Sequence, residues 1–177
     1  MYALVGEGVL QPTAQEIAAR AGVALRSVFR HFSDIDSLFA SLDARVRQEA
    51  LPLVREPHAS DPLPTRMRDL IRQRAVLFDR IAPYKRSGDL HRGRSAFVRS
   101  QQSLLVRELR ERLLRWLPEL ARLEPDLLEA VDLAMSFEAW VRLRTDQRLS
   151  RVRATAIVER TVTALLASSG KTRKESR

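Results

Sequence analysis

The 177-residue chain has no cysteine, only three lysines and three histidines, and few aromatic residues. Without cysteine it forms no disulfide, activates no thiolate and builds no cysteine metal site. The histidines, His31, His58 and His91, share no ligand spacing, and no glycine-rich phosphate loop interrupts the sequence. Glu108 and Glu111 lie on one helix face, but Arg107, Arg110 and Arg112 surround them, which is the pattern of a solvated salt-bridge surface rather than of an acid/base pair. We therefore expect no enzyme, no metal and no cofactor. No apolar run approaches the roughly 20 residues of a membrane span. The opening MYALVGEGVL lacks the basic region and the apolar length of a signal peptide. A soluble, cytoplasmic chain with no membrane partner is expected.

Strand-like alternation is nearly missing too, and helical periodicity takes its place. A net charge of +9 suits an anionic partner, yet the first 47 residues carry Arg20, Arg26, Arg30, Arg45 and Arg47 against Glu7, Glu16, Asp34, Asp36 and Asp43. These cancel, so the whole excess follows Arg47. Net charge is a poor guide to where a nucleic acid would bind.

Thr13 and Glu16 make a capping box, in which the hydroxyl accepts from the third helical amide and the carboxylate reaches back to the cap amide. The helix that begins there has Ile17, Ala18 and Ala21 inward, and Gly22 supplies the left-handed residue that ends it. A second short helix follows at once, with Leu25, Val28, Phe29 and Phe32 at helical spacing and Arg26, Ser27, Arg30 and His31 mostly off that face. Ser33 or Asp34 caps a third, whose stripe of Ile35, Leu38, Phe39, Leu42, Val46 and Ala50 runs to Pro52.

After the proline-rich PLVREPHASDPLP, a helix begins behind Asp61 and is predicted to end at Pro83. YKRSGDLHRGR reads as a polar break. Ser95 to Leu117 is a long amphipathic helix closed by Pro118. Pro125 to about Thr145 is apolar around most of its circumference, which predicts burial on more than one side. Ser150 caps the last helix, predicted to turn Val152, Ala156, Ile157, Thr161, Ala164 and Leu165 inward. The pattern is all-α: residues 1–50 form a helix-turn-helix segment with its linker helix, 51–170 a helical bundle, and 171–177 a disordered tail.

PTAQEIAARAGVALRSVFRHFSDIDSLF, 28 contiguous positions from Pro12, resembles the helix-turn-helix of the TetR (tetracycline-repressor-like) family: a capping Thr, an IA..AGV helix and turn, and a short recognition helix closing on aromatic, base, His, Phe. SFEAWVRLRTDQRLS is similar to the family's penultimate helix and the loop after it. The resemblance implies a homodimer formed through the last two long helices, with paired recognition helices in successive major grooves of double-stranded operator DNA. It also implies an unknown small-molecule effector, bound in the bundle, that releases the DNA.

Carried over position by position, Thr13 meets a phosphate, Arg26 reads guanine, and Ser27 reaches a base edge or phosphate. Ala24 and Leu25 offer apolar contact to a thymine methyl, Leu25 fitting the core equally well. Phe29, Arg30 and His31 complete the DNA face. Arg74, Phe78, Tyr84, His91, Phe97, Phe137 and Trp140 are candidates to line an effector cavity. Val131, Met135, Ile157, Thr161 and Leu165 are candidates for the dimer interface.

Three departures qualify the match. Phe29 stands where the family usually has Tyr, and Ile35 where it usually has Lys, each removing a phosphate contact. The family's first helix is reduced to a stub too short to persist alone, which predicts that Ile17, Val28 and Phe32 face water in part. An upstream natural start, or a truncated chain with a damaged DNA-binding domain, is the expectation. The alternative function is then a dimeric helical ligand-binding or interaction protein that no longer binds DNA.

Overall fold

A computed structural model of the chain describes residues 1–58 and 60–175, with side chains described as far as 168. Among the described residues the fold is all-α, with no strand. The helices are α1 (Tyr2–Gly6), α2 (Ala14–Ala21), α3 (Leu25–His31), α4 (Ile35–Ala50), α5 (Leu63–Asp89), α6 (Ala96–Trp116), α7 (Pro125–Ala134), α8 (Phe137–Val141) and α9 (Arg151–Glu175). Short 3-10 turns follow α4 and α6, and a π-helical turn, Arg142–Asp146, follows α8.

Local chemistry sets most helix starts. Glu16 N donates to Thr13 Oγ1 at 3.2 Å while Thr13 N donates to Glu16 Oε2 at 2.7 Å, closing the capping box of α2. Gly22 ends that helix at φ 67°, a conformation that costs other residues about 1–2 kcal/mol. Asp34, rather than Ser33, caps α4 through Ser37 N at 2.7 Å. Ser95 and Ser150 cap α6 and α9 in the same way, accepting from Val98 N and Arg153 N.

Contacts divide the chain into two compact units. The first comprises 1–53 and 79–105, the second 54–78 and 106–177, so α5 leaves the second unit after Phe78 and α6 leaves the first after Leu105. The first unit therefore contains a segment well beyond residue 50. Its cores are small: Ile17, Ala18 and Val28 form one cluster, and Phe39, Leu42 and Val98 another. The expected exposure of the first cluster is corrected by α1. That helix has only five residues, too few to hold by propensity, but Met1 and Leu4 pack on the Ile17 cluster, Val5 is wholly buried, and Tyr2 stacks on Tyr84 at 4.8 Å. Tertiary burial holds what a lone turn cannot. Ile17 and Val28 are buried, and Phe32 is half-buried.

Pro83 does not end α5. The helix gives up one backbone bond there and runs on to Asp89. Contacts beyond the proline hold the extension: Ser87 Oγ donates to Leu10 O at 2.6 Å, and buried Gly88 lets α6 approach until an added Cβ would meet Val98 at 3.5 Å.

In the second unit, the helix predicted over Pro125 to Thr145 breaks at Met135. Ser136 accepts from Ala139 N at 3.1 Å and starts α8 as a separate element. Burial is correspondingly one-sided, and Leu133 is 69 % exposed. The inward face of α9 is Ala154, Val158 and Val162, not the predicted one; Val152, Ala156, Ile157, Thr161 and Ala164 are exposed and Leu165 half-buried. Apolar residues recur at helical spacing in both phases of α9, so periodicity alone does not choose between them. α9 continues to Glu175 where a disordered tail is predicted from 171, and 176–177 lie outside the described residues.

Candidate nucleic-acid interface

The helix-turn-helix is built from α2, the Gly22 turn and α3. Val28 is the buried residue of α3, and it anchors the helix against Ile17 and Ala18. Two such apolar side chains are worth about 3–6 kcal/mol of burial together, which fixes the turn between the two helices. Every other α3 residue is then placed by helix geometry. Ala24, Arg26, Arg30 and His31 are exposed, Ser27 is half-buried, Leu25 is 37 % exposed and Phe29 is 63 % exposed. Phe29 and Leu25 thus leave the apolar face on which their spacing places them and join the outer one. Phe29 is thus a surface residue of this seven-residue helix rather than a core one.

Arg26 and Arg30 stand four residues apart on this outer face, one helical turn from each other. Neither guanidinium has a hydrogen-bond or ion-pair partner among the described residues. A free guanidinium presents five donors, and the fork fits the O6 and N7 acceptors of guanine in the major groove. Thr13 lies at the exposed N-terminus of α2, where free amides favour a phosphate. Its hydroxyl already serves Glu16, donating at 2.8 Å and accepting from the amide, so capping and phosphate contact use the same helix end. His31 lies edge-on to Phe32 at 5.1 Å. Ile35, the first residue of α4, is 37 % exposed and offers no charge.

The candidate effector residues separate. Arg74, Phe78 and Trp140 line one small cavity in the second unit together with Ile71, Ala75, Met135, Ser136 and Val158, and Phe137 meets Phe78 edge-on at 5.5 Å. Tyr84, His91 and Phe97 belong to the first unit. There Tyr84 stacks on Tyr2, the His91 ring lies 5.1 Å from that of Phe39, and Phe97 N donates to Asp36 Oδ2 at 3.4 Å. The cavity measures about 10 Å³, close to the volume one water molecule needs.

Arg74 is 3 % exposed, against the surface position usual for arginine. Its Nη1 donates to Met135 O at 2.7 Å, at the end of α7, and its Nη2 to Leu109 O. Nε has no partner. Burial pushes the guanidinium down to about 10, with Asp132 opposing that shift and Arg112 reinforcing it. Arg66, eight residues earlier, repeats the arrangement and was not singled out by sequence: it donates to Trp116 O at the end of α6, but also pairs with the Glu119 carboxylate. The signal for both is an arginine inside the apolar stripe of α5. Arg74 differs in having no carboxylate in contact among the described residues.

Of the dimer candidates, Val131 and Met135 are 0 % and 2 % exposed within their own unit and offer no surface to a second chain. Ile157 and Thr161 are exposed and Leu165 is half-buried.

Residues 5–42 match the family described as bacterial regulatory proteins, tetR family, a span that runs from within α1 through α2 and α3 to the middle of α4. The chain thus carries that family's DNA-binding domain, and its function is that of a DNA-binding transcription regulator. Neither the curated proteins nor the solved structures gave a match.

Proposed function

We propose that this tetR-family regulator is a repressor that binds a palindromic operator as a homodimer and is released by a small-molecule effector. The observation that carries the reading is the outer face of α3, where Arg26 and Arg30 are exposed and, among the described residues, unpartnered, on a helix anchored from behind by Val28. Arg26 reads a guanine, Ser27 and Arg30 hold base edges or phosphates, Phe29, Ala24 and Leu25 pack on thymine methyls or sugars, and Thr13 and His31 fix the register on the backbone. Closure of the core beneath α3 by α1 supports this reading over a helix-turn-helix retained as scaffold.

Dimerisation rests on the outer faces of α7 and α9, which pack on each other. Leu133, Val152 and Ile157 are exposed there, beside Thr161 and Leu165. A two-fold interface uses one such patch twice, which suits a two-fold operator. The effector site is the cavity beside Arg74, where apolar walls meet one cation and the Ser136 hydroxyl. An acidic, largely apolar molecule fits that chemistry. The cavity as it stands is too small to admit one, so binding must enlarge it, and an enlarged state with a different DNA affinity is what release requires.

The test is fluorescence anisotropy with duplexes from the DNA flanking the gene, across a salt series. Saturable binding that weakens steeply with salt, at a stoichiometry of two chains per site, is expected. A folded chain that fails to bind any duplex at low salt would sink the proposal.

A further inference from the structure

The first unit has a second cationic element, which the sequence does not associate with the helix-turn-helix. Residues 1–47 balance five bases with five acids. Residues 79–105 belong to the same compact unit and carry Arg80, Lys85, Arg86, Arg92, Arg94 and Arg99 against Asp79 and Asp89. The unit's excess positive charge therefore comes from the segment folded onto the helix-turn-helix and not from the helix-turn-helix itself.

Three contacts fix where the middle of this segment sits. His91 stacks at a tilt on Phe39, Phe97 N donates to the carboxylate of Asp36, and Val98 shares a core cluster with Phe39 and Leu42. All three partners belong to the first half of α4, and Asp36 is its second residue. The turn from Leu90 to Ser95 is thus held beside the N-terminal end of α4, which follows α3 after only Phe32, Ser33 and Asp34. At that end Ile35 is apolar, and Asp34 and Asp36 are acidic, so α4 itself brings no cation to a phosphate.

The docked turn brings two. Arg94 is exposed and its guanidinium has no partner among the described residues. Arg92 is exposed and pairs only with the equally accessible Asp89, an ion pair that gives little and that a phosphate readily replaces. Gly93 between them has open space where a Cβ would be. Among the described residues nothing uses the Arg94 guanidinium.

We infer that the α5–α6 turn is a second DNA-contacting element, in which Arg94 and Arg92 neutralise backbone phosphates flanking the groove entered by α3. The inference rests on the chain's binding duplex DNA at all. It assigns affinity to the turn and leaves sequence preference with α3, because a point contact to phosphate carries no base information.

Titrations of operator and scrambled duplexes over a salt series test this, with the wild type, Arg94→Ala, Arg92→Ala/Arg94→Ala and Arg94→Lys, and with Arg153→Ala in α9 as a control for general charge. Each released phosphate contact flattens the slope of log affinity against log salt by about 0.9. The single variant should flatten it by about one and the double by about two, weakening both duplexes alike. Arg94→Lys should keep the slope, and Arg153→Ala should match the wild type. Wild-type binding with an unchanged slope in the double variant overturns the inference and leaves the regulator reading intact. Equal flattening by Arg153→Ala also overturns it. If the wild type binds no duplex, both fall together. Circular dichroism of each variant confirms the fold, and all three positions are on the surface.

Discussion

Arginine is used in opposite ways in the two compact units. In the first, the guanidinium groups of Arg26, Arg30 and Arg94 stand in solvent with no partner among the described residues, on a framework whose cores are a few residues each. In the second, Arg66 and Arg74 are buried under a large apolar core and bonded to carbonyls at the ends of α6 and α7. A buried guanidinium is costly unless its donors are used, so those in the second unit serve architecture, closing helix C-termini whose carbonyls and dipoles favour a cation. A free one on a rigid helix contributes little to folding and is available to an anion. The same residue type, in a chain with few lysines, thus stands free on the surface in one place and staples helix ends in the other.

Removing the staple should have the largest effect. Arg74→Ala leaves Met135 O and Leu109 O without their buried donor and empties volume next to a cavity, so the chain should lose about 3 kcal/mol of stability in urea unfolding. Its DNA salt slope, measured where the variant is folded, should not move. A loss under about 0.5 kcal/mol, the range of ordinary surface changes, would erase the contrast between the units.

Arg26→Ala is the converse. Stability should stay within about 0.5 kcal/mol of wild type, because no contact inside the chain is lost. Discrimination between the operator and a duplex with the contacted guanine replaced should fall by about 1–3 kcal/mol, roughly 5- to 150-fold, in competition binding. A variant that destabilises the chain while preserving discrimination would place Arg26 among the structural arginines.

Between these extremes lies the turn that presents α3. Gly22→Ala meets no atom within 4 Å, so its cost is conformational alone, about 1–2 kcal/mol for a side chain at φ 67°. The loss should appear in thermal unfolding and reduce DNA affinity without changing base preference.

The two units also differ in how far they can be read from sequence. Thr13 with Glu16, Gly22, Asp34 with Ser37, and the Ser95 and Ser150 caps each join residues within a turn of one another, so the chemistry that starts or stops the helix is visible in a short window. The exposure of Arg26, Arg30 and His31 follows once Val28 is inward. What was not legible depends on partners distant in the chain. α1 persists because Tyr84 and the Ile17 cluster receive it, Pro83 is passed because Leu10 and Val98 hold the helix beyond it, and α9 chooses one of two apolar phases by what lies against it. The same cause separates Tyr84, His91 and Phe97 from Arg74: their aromatic character reads as a cavity wall, while long-range docking assigns them to the first unit. Burial of Arg74 was hidden because the C-terminal carbonyl it serves is 61 residues away.

The smallest effect, and the sharpest, is in pH. Backbone hydrogen bonds hold the Glu16 and Asp34 carboxyls below their ordinary values, that from Thr13 being the main cause for Glu16 and that from Ser37 for Asp34. A carboxylate with a depressed folded pKa contributes stability that is fully present above its unfolded value and is lost as pH falls through the folded one. Both groups are exposed, so each contribution is modest. Arg74 is depressed instead by burial, to about 10, so its folded and unfolded forms are both protonated throughout the acid and neutral range and its cost does not vary there. Glu16→Ala should therefore lower the melting temperature at neutral pH by a small amount that vanishes once the medium is more acidic than the depressed carboxyl. The Arg74→Ala deficit should persist across the same interval wherever the chain remains folded. An Arg74→Ala deficit that shrinks with acid in step with that of Glu16→Ala would mean that the buried guanidinium acts through a titrating carboxylate, with Asp132 the first to replace, and would make it a salt bridge rather than a helix cap.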